Sequence, residues 1–418
     1  MLALHVSDTH LGATPSGLLF RARDIYEVFL ETIDIALKER VDIYIHSGDF
    51  FNTPNPPPES YVVAYRGLKK LKDRNIRVVA IAGQHDLPKR YALSPLTILK
   101  DVGVLDYVAI DSIAVHSVEV GGRKIQFVCV PFNQRQKIPT LSIQKEFKSI
   151  LVAHLLLKEL GIPSSEADIS LDLIPAGFMY VALGDYHIKT VLRGRDGVPV
   201  VYPGATEVHK VNEYGKKFVA LVDLSTDEVK VNFIELTSVR PWVILRCGDV
   251  KQCLNDVIEN SKSITSSGRK KPIAYVVVDK LRAEAIARYL EELVLKNLIE
   301  HYYIVHREEE ERDSRTVNIE TYAEKLEHID VEKILSDLIG DRKLALYILN
   351  IIENPSKQIA EELIEYIRSN IDNLRDVEQR IRSVLSLTSS KTSNESSLFK
   401  KTEQQNIRKP QASREKLF

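Results

Sequence analysis

The sequence predicts an α/β fold: an αββα sandwich of two sheets with helices outside, then a small α/β domain, then a helical C-terminal segment. Three observations predict it. At the start of the chain, short apolar runs alternate with stretches of helical periodicity. From Ser112 to Leu236 the apolar runs become short and closely spaced, with little helical pattern between them. After Ser238 the strand–helix alternation begins again. A length of 418 residues suits two or three domains rather than one.

The elements follow in order. Residues 2–6 are apolar and then turn polar, as a buried strand does. Residues 24–40 (DIYEVFLETIDIALKER) set Ile25, Val28, Phe29, Ile33 and Leu37 at helical spacing. Residues 43–46 read as a second strand. The segment 52–60 (NTPNPPPES) is a loop, because its prolines forbid regular pairing. Residues 61–73 read as a helix and 76–82 as a third buried strand. This alternation implies parallel strands in βαβ units. The runs SIAVHSVEV, KIQFVCV, SILVAH, GFMYVAL, VPVVYPG, KFVALVDL and EVKVNFIEL are expected to form the second sheet. SVRPWVILRC (238–247) opens a small βαβαβ unit, with helices over 250–260 and 282–296 and the loop KSITSSGRKKP between them. REEEERDS (307–314) is a charge-rich linker. Residues 322–372 are amphipathic and helical with a break at NPS, and 374–387 can add one more helix. Beyond 388 the composition is polar, and disorder is expected. The expected domains are 1–237, 238–312, 313–387 and a tail, 388–418.

Composition narrows the function classes. Apolar residues make up 44% and charged residues 28%, an ordinary globular balance. The net charge of -1 gives no overall pull toward nucleic acid or membrane, so an anionic partner must be held by a local patch or by metal ions. The cysteines Cys129, Cys247 and Cys253 form no C-x-x-C pair and are expected to be reduced thiols rather than a zinc site or a disulfide frame. MLALHVSDTH lacks the basic and apolar regions of a signal peptide, and no stretch is apolar enough to span a bilayer, so a cytoplasmic protein is expected.

Potential metal ligands follow the strands. Asp8 and His10 (SDTHLG) follow the first, Asp49 (SGDFF) the second, and Gln84, His85 and Asp86 (GQHD) the third. Later runs end in His154 (LVAH) and in Asp185 and His187 (LGDYH). Open α/β sheets place their sites at the carboxyl ends of parallel strands. Asp, His and amide ligands suit manganese, iron or zinc rather than a thiolate site, and a shared carboxylate such as Asp49 can bridge two ions. One D-x-H or G-D alone is more often a turn or a helix cap, and a lone His154 is more often a satisfied core residue. The ordered set is what points to chemistry.

With these motifs the sequence resembles the calcineurin-like metallophosphoesterases, whose pattern is D-x-H, G-D, G-N-H-D/E, H, G-H-x-H. Within them it is most similar to the archaeal form of the Mre-eleven/SbcD family, the nuclease subunit of the double-strand-break repair complex. HVSDTHLG, GDFFNTPNPPPES, YVALGDYHIK and YPGATE carry the resemblance, which is strong to about residue 240 and architectural beyond it. The resemblance implies an αββα metallophosphoesterase sandwich with a capping domain that shapes DNA access. It implies two manganese ions, one held by Asp8, His10, Asp49 and His187, the other by Asp49, Gln84, His154 and Asp185. It implies a catalytic His85 beside the scissile phosphate, with Asp86 either orienting that ring or capping a helix. It also implies DNA ends as substrate, both exonuclease and endonuclease action, a nucleoid-associated location, a homodimer, and a coiled-coil ABC-type ATPase docked on the C-terminal helices. The alternatives are a DNA-end-binding scaffold with a weakened nuclease centre and a phosphodiesterase for small substrates.

Three positions depart from the family. Gln84 replaces Asn, Asp185 replaces the first His of G-H-x-H, and Asn52, a candidate substrate-phosphate contact, stands where many relatives have His. The first two fall on the second ion, which is expected to be weaker or altered, with magnesium as an alternative. Basic clusters at Arg66, Lys69, Lys70, Lys72, Arg74 and Arg77, at Lys89 and Arg90, and at Arg193 and Arg195 are of the kind that meets phosphates, although a Lys-rich helix face is usually just solvated.

Overall fold

A computed structural model describes residues 1–306, apart from 90–91, 121, 144–145, 164, 227 and 280–281, and short pieces between 341 and 369. The expected linker, most of the C-terminal helical segment, the tail and Arg90 lie outside the described residues. The chain forms two units, 1–316 and 317–418. In the second, the Tyr366 hydroxyl donates to both carboxylate oxygens of Asp341, at 3.2 and 3.0 Å.

The first sheet takes its parallel strands from β1 (Leu2–Val6), β2 (Ile43–His46), β3 (Arg77–Ile81) and β4 (Tyr107–Ala109). β1, β2 and β3 are buried almost throughout, which is why they read as apolar runs, whereas β4, with Tyr107 and Val108 only partly buried, was not expected. The second sheet is built on β5 (Ala114–Val120), β6 (Arg123–Val130), β7 (Lys148–His154), β8 (Phe178–Gly184), β9 (Thr190–Arg193) and β10 (Pro199–Tyr202), in the order β5-β6-β7-β8-β10-β9. Here one expectation fails. The runs KFVALVDL and EVKVNFIEL become β11 (Phe218–Asp223) and β12 (Lys230–Glu235), which extend the first sheet on the far side of β1, antiparallel. Their apolar pattern suits either sheet. Ala220 and Val222 of β11 face the core between the sheets, while Val219 joins the helix-side core.

Helices α1 (Leu19–Lys38), α2 (Pro58–Lys72) and α3 (Pro95–Asp101) cover the outer face of the first sheet. α2 begins inside the expected loop, since proline suits the first turn of a helix. α3 was not expected; Ser94 caps it, accepting from the Leu96 N–H at 3.3 Å. The outer face of the second sheet carries short 3₁₀ segments, Phe132–Thr140, Lys158–Leu160 and Leu171–Leu173.

The expected βαβαβ unit is present: β13 (Trp242–Arg246), α4 (Val250–Ser266), β14 (Ile273–Val278), α5 (Ala283–Leu295) and β15 (His301–His306) form a parallel three-stranded sheet with its own core. α4 runs past residue 260 into the expected loop. The thiol expectation also fails: Cys247 and Cys253 form a disulfide, with Cα atoms 5.5 Å apart where β13 gives way to α4. This unit is tied to α1 through Asp24, whose carboxylate accepts from Arg240 at 2.6 and 2.8 Å, Arg21 at 2.7 Å and Lys270 at 3.0 Å. The three cations hold Asp24 below its ordinary value against the upward push of burial.

In the first basic cluster four of the six cations are engaged. Lys69 meets Asp73 at 2.8 Å, Lys70 meets Asp34 at 3.4 Å, Arg77 meets Asp106 at 3.4 Å, and Lys72 donates to the Gly103 carbonyl.

Candidate metal centre

Every strand that sequence reading marked delivers its residues to one place. Asp8 and His10 leave β1, Asp49 leaves β2, Gln84 and His85 leave β3, His154 ends β7, and Asp185 and His187 leave β8. The backbone bends sharply to do this. Asp8 (φ 51), His10 (φ 43), Asp49 (φ 53) and Asp185 (φ 92) all hold a conformation that costs an L residue about 1 kcal/mol or more. Cross-links hold these turns: Asp8 N–H donates to the Gly48 carbonyl at 3.1 Å, and His10 N–H to the Asp49 carbonyl at 3.0 Å. The glycines before Asp49 and Gln84 supply room. A Cβ on Gly48 would strike the His154 ring, and one on Gly83 the Asp49 carboxylate.

The centre has two halves that share Asp49. In the first, His10 Nε2 lies 3.2 Å from His187 Nε2 and 3.8 Å from Asp49 Oδ2, and His187 Nε2 lies 4.0 Å from Asp8 Oδ1. In the second, His154 Nε2 faces three carboxylates: Asp49 at 3.4 Å, Asp185 at 3.8 Å and Asp8 at 4.0 Å. Asp8, Asp49 and His154 offer ligand atoms within 4.8 Å of one another, as do Asp8, His10 and His187.

The donor set fits divalent metal. His154 Nδ1 lies 2.8 Å from the Ser47 carbonyl, which can only accept, so Nδ1 carries the proton. Nε2 is then buried, without a hydrogen-bond partner, and surrounded by carboxylate oxygens. Only a positive charge, a proton or a metal ion, makes that arrangement favourable. The titration behaviour agrees. Burial would lower His154, but Asp49 and Asp185 raise it well above the ordinary histidine value. Burial pushes Asp185 up to about 7, although His154 opposes it. Asp49, also pushed up by burial, is pulled down to about 2 by His154 and His85.

Of the sequence-marked residues, Asp8, His10, Asp49, His154, Asp185 and His187 converge. Gln84 is exposed on the rim, its amide nitrogen 3.5 Å from Asp185 Oδ1. His85 stands at the mouth with its side chain 41% exposed, 4.0 Å from Asp49 Oδ2. Its N–H donates to Asp49 Oδ1 at 2.9 Å, and its Nδ1 donates to the Asn52 carbonyl at 2.9 Å. Asn52 thus meets His85 through its backbone. Asp86 does not orient His85. Its carboxylate accepts the backbone N–H groups of Phe50, Phe51 and Gly83, at 3.0, 2.8 and 3.0 Å, and so pins the Asp49 turn to the His85 turn.

Sequence reasoning missed the groups behind the centre. Glu213 lies 2.9 Å from His187 Nδ1, and the His209 ring packs 4.6 Å from the His10 ring. Both sit in VHKVNE, a short polar segment with no apolar run to mark a strand end. Thr9 donates to the Phe50 carbonyl at 2.9 Å and lies 3.0 Å from His46 Nε2, bracing the first two turns. Among the described residues, no helix is long and apolar enough to cross a membrane.

Residues 1–202 match the family model of the calcineurin-like phosphoesterases. Several relatives bear the name DNA double-strand break repair protein Mre11, three of them as follows. The protein from Saccharolobus solfataricus is 31% identical over 87% of this chain and 97% of its own length. That from Sulfurisphaera tokodaii is 29% identical over 89% of this chain and 98% of its own, and that from Methanocaldococcus jannaschii is 30% identical over 83% and 94%. The phosphoesterase match ends where the second sheet ends, and the centre lies wholly within it or on the turns it spans. A metal-dependent phosphoester hydrolase with relatives matched along nearly their whole length, the chain belongs to the Mre11 family.

Proposed function

We propose that the chain is a manganese-dependent nuclease that processes DNA ends, with both exonuclease and endonuclease action. The observation that carries this reading is His154 Nε2, buried, unpartnered and 3.4–4.0 Å from three carboxylates across a shared Asp49. Asp8, His10, Asp49 and His187 would hold one ion, and Asp49, Gln84, His154 and Asp185 the other. When bound, such a pair neutralises phosphate charge and activates water at neutral pH. Oxygen ligands in the second half favour manganese or magnesium over softer ions.

The chain's own residues do the rest. His85 holds its Nδ1 proton on the Asn52 carbonyl, with Nε2 4.0 Å from Asp49 Oδ2 on a side chain that is 41% exposed. As the imidazolium, with a second proton on Nε2, it would give that proton to the departing oxygen of the phosphodiester and return to the neutral ring. Asn52 would contact a neighbouring phosphate. The three-stranded unit acts as the capping domain over DNA, and the segment 313–387 docks a coiled-coil ABC-type ATPase. The protein works as an intracellular homodimer.

A manganese-dependent nuclease assay on duplex DNA tests the reading, with wild type and His85→Ser compared and a small phosphodiester run beside the DNA. Cleavage of DNA that His85→Ser loses is the expected result. A second reading, a DNA-end scaffold with a weakened centre, draws on the Gln84–Asp185 contact at 3.5 Å, which ties up two residues of the second half. DNA binding by wild type with no metal-dependent cleavage would favour the scaffold. Cleavage of the small phosphodiester alone would sink both.

A further inference from the structure

We propose that Glu213 is the positioning residue for His187 and sets how tightly the first half of the centre binds a divalent ion, without touching the ion itself. The inference rests on His187 being a ligand. Glu213 Oε1 lies 2.9 Å from His187 Nδ1. A carboxylate can only accept, so the proton sits on Nδ1 and the Nε2 lone pair is left facing Asp8 and His10. The carboxylate is itself fixed. Glu213 is buried, and its other oxygen accepts the backbone N–H of His209 at 3.2 Å. The backbone of His187 is held independently, its carbonyl accepting from Ala205 N–H at 3.2 Å and from the buried Lys217 ammonium at 3.3 Å. The main chain is therefore anchored without Glu213, and what Glu213 adds is the tautomer and tilt of the ring.

The other half supplies the contrast. The His154 ring leans on a neutral carbonyl, that of Ser47, its Nδ1 donating at 2.8 Å. A carboxylate behind an imidazole raises its basicity as a ligand more than a carbonyl does. A buried carboxylate is costly to keep unless it serves a partner. Here the partner is a ligand ring, so the structure places the stronger support behind the first half.

The test is equilibrium binding of Mn²⁺ to the full chain, wild type against Glu213→Ala, Glu213→Gln and His187→Ala, with the melting temperature of each metal-free protein. Wild type and His187→Ala should differ by one ion. Glu213→Ala should keep both sites but weaken the tighter one by about 10–100-fold. Glu213→Gln should lose less, since its amide carbonyl still accepts the Nδ1 proton. If Glu213→Ala does not fold, the smaller loss in Glu213→Gln carries the test. Unchanged Mn²⁺ affinities in the Glu213 variants, with only a lowered metal-free melting temperature, would overturn the proposal while His187→Ala still lost its ion. Two ions retained by His187→Ala would instead overturn the ligand assignment, and the proposal with it.

Discussion

The two halves of the metal centre share Asp49, and Asp8 lies 4.0 Å from a histidine of each, but their other residues differ in kind. The first is histidine-rich: His10 and His187 approach to 3.2 Å, and Glu213 stands behind His187. The second is carboxylate-rich: one histidine, His154, faces Asp8, Asp49 and Asp185. Its amide, Gln84, lies on the exposed rim against Asp185. The lesson is that one shared bridge can support two sites of different character. Burial lowers His187 but Glu213 raises it above the ordinary histidine value, so the first half gives up a proton, from an imidazole, when it binds an ion. The second must shed a proton before it can bind an ion, because burial holds Asp185 near 7.

The largest effect should come from breaking what the halves share. Asp49→Ala removes the bridge, and binding of both ions should fall by more than the roughly 10–100-fold that loss of a supporting partner costs. Calorimetric Mn²⁺ titration reads this directly. Loss of one ion only would mean that the halves do not share Asp49. Next in size, His85→Ser should leave both ions in place and lower DNA cleavage by about 10²–10⁴-fold, the range of general acid–base assistance. A variant that lost an ion as well would make His85 part of one half.

A third change lies outside both halves. Asp24→Asn leaves Arg21 and Arg240 short of a buried partner, and breaking such a pair costs about 3–5 kcal/mol. Denaturant unfolding should show that loss with Mn²⁺ binding unchanged. The sign of its pH dependence follows from the carboxylate lying below its ordinary value of 3.8. The stabilisation is complete above pH 3.8 and fades as pH falls through the lower folded value. Wild type should therefore lose stability in acid more steeply than Asp24→Asn. The smallest effect is one of pH: the Mn²⁺ affinity of the second half should rise several-fold from pH 6 to pH 8 as Asp185, pushed up to about 7 by burial, gives up its proton, and that of the first half should rise in the same direction as His187, raised by Glu213 against burial, gives up its own.

The site was far more legible than what supports it. Candidate ligands follow apolar runs, and a buried parallel strand announces its own end, so Asp8, Asp49, His154 and Asp185 could be marked from pattern alone as residues that converge, with Gln84 on the rim beside them. Glu213 and His209 follow no strand; only the return of the chain from β10 to β11 brings them behind His187 and His10. Asp86 was seen, but its partners Phe50 and Phe51 are backbone groups on another turn, which no spacing reveals. The sheet membership of β11 and β12 failed for a related reason. Apolar alternation fixes which face of a strand is buried, not which sheet it joins. Cys247 and Cys253 were misread because their meeting depends on how β13 turns into α4.

The most direct test of the unequal centre is Mn²⁺ titration of wild type against Asp185→His at pH 7. The predicted result is two binding events of different affinity in wild type that draw together in Asp185→His, where an imidazole replaces the proton-holding carboxylate. Two equal and tight manganese sites in the wild type, unchanged by the substitution, would contradict it.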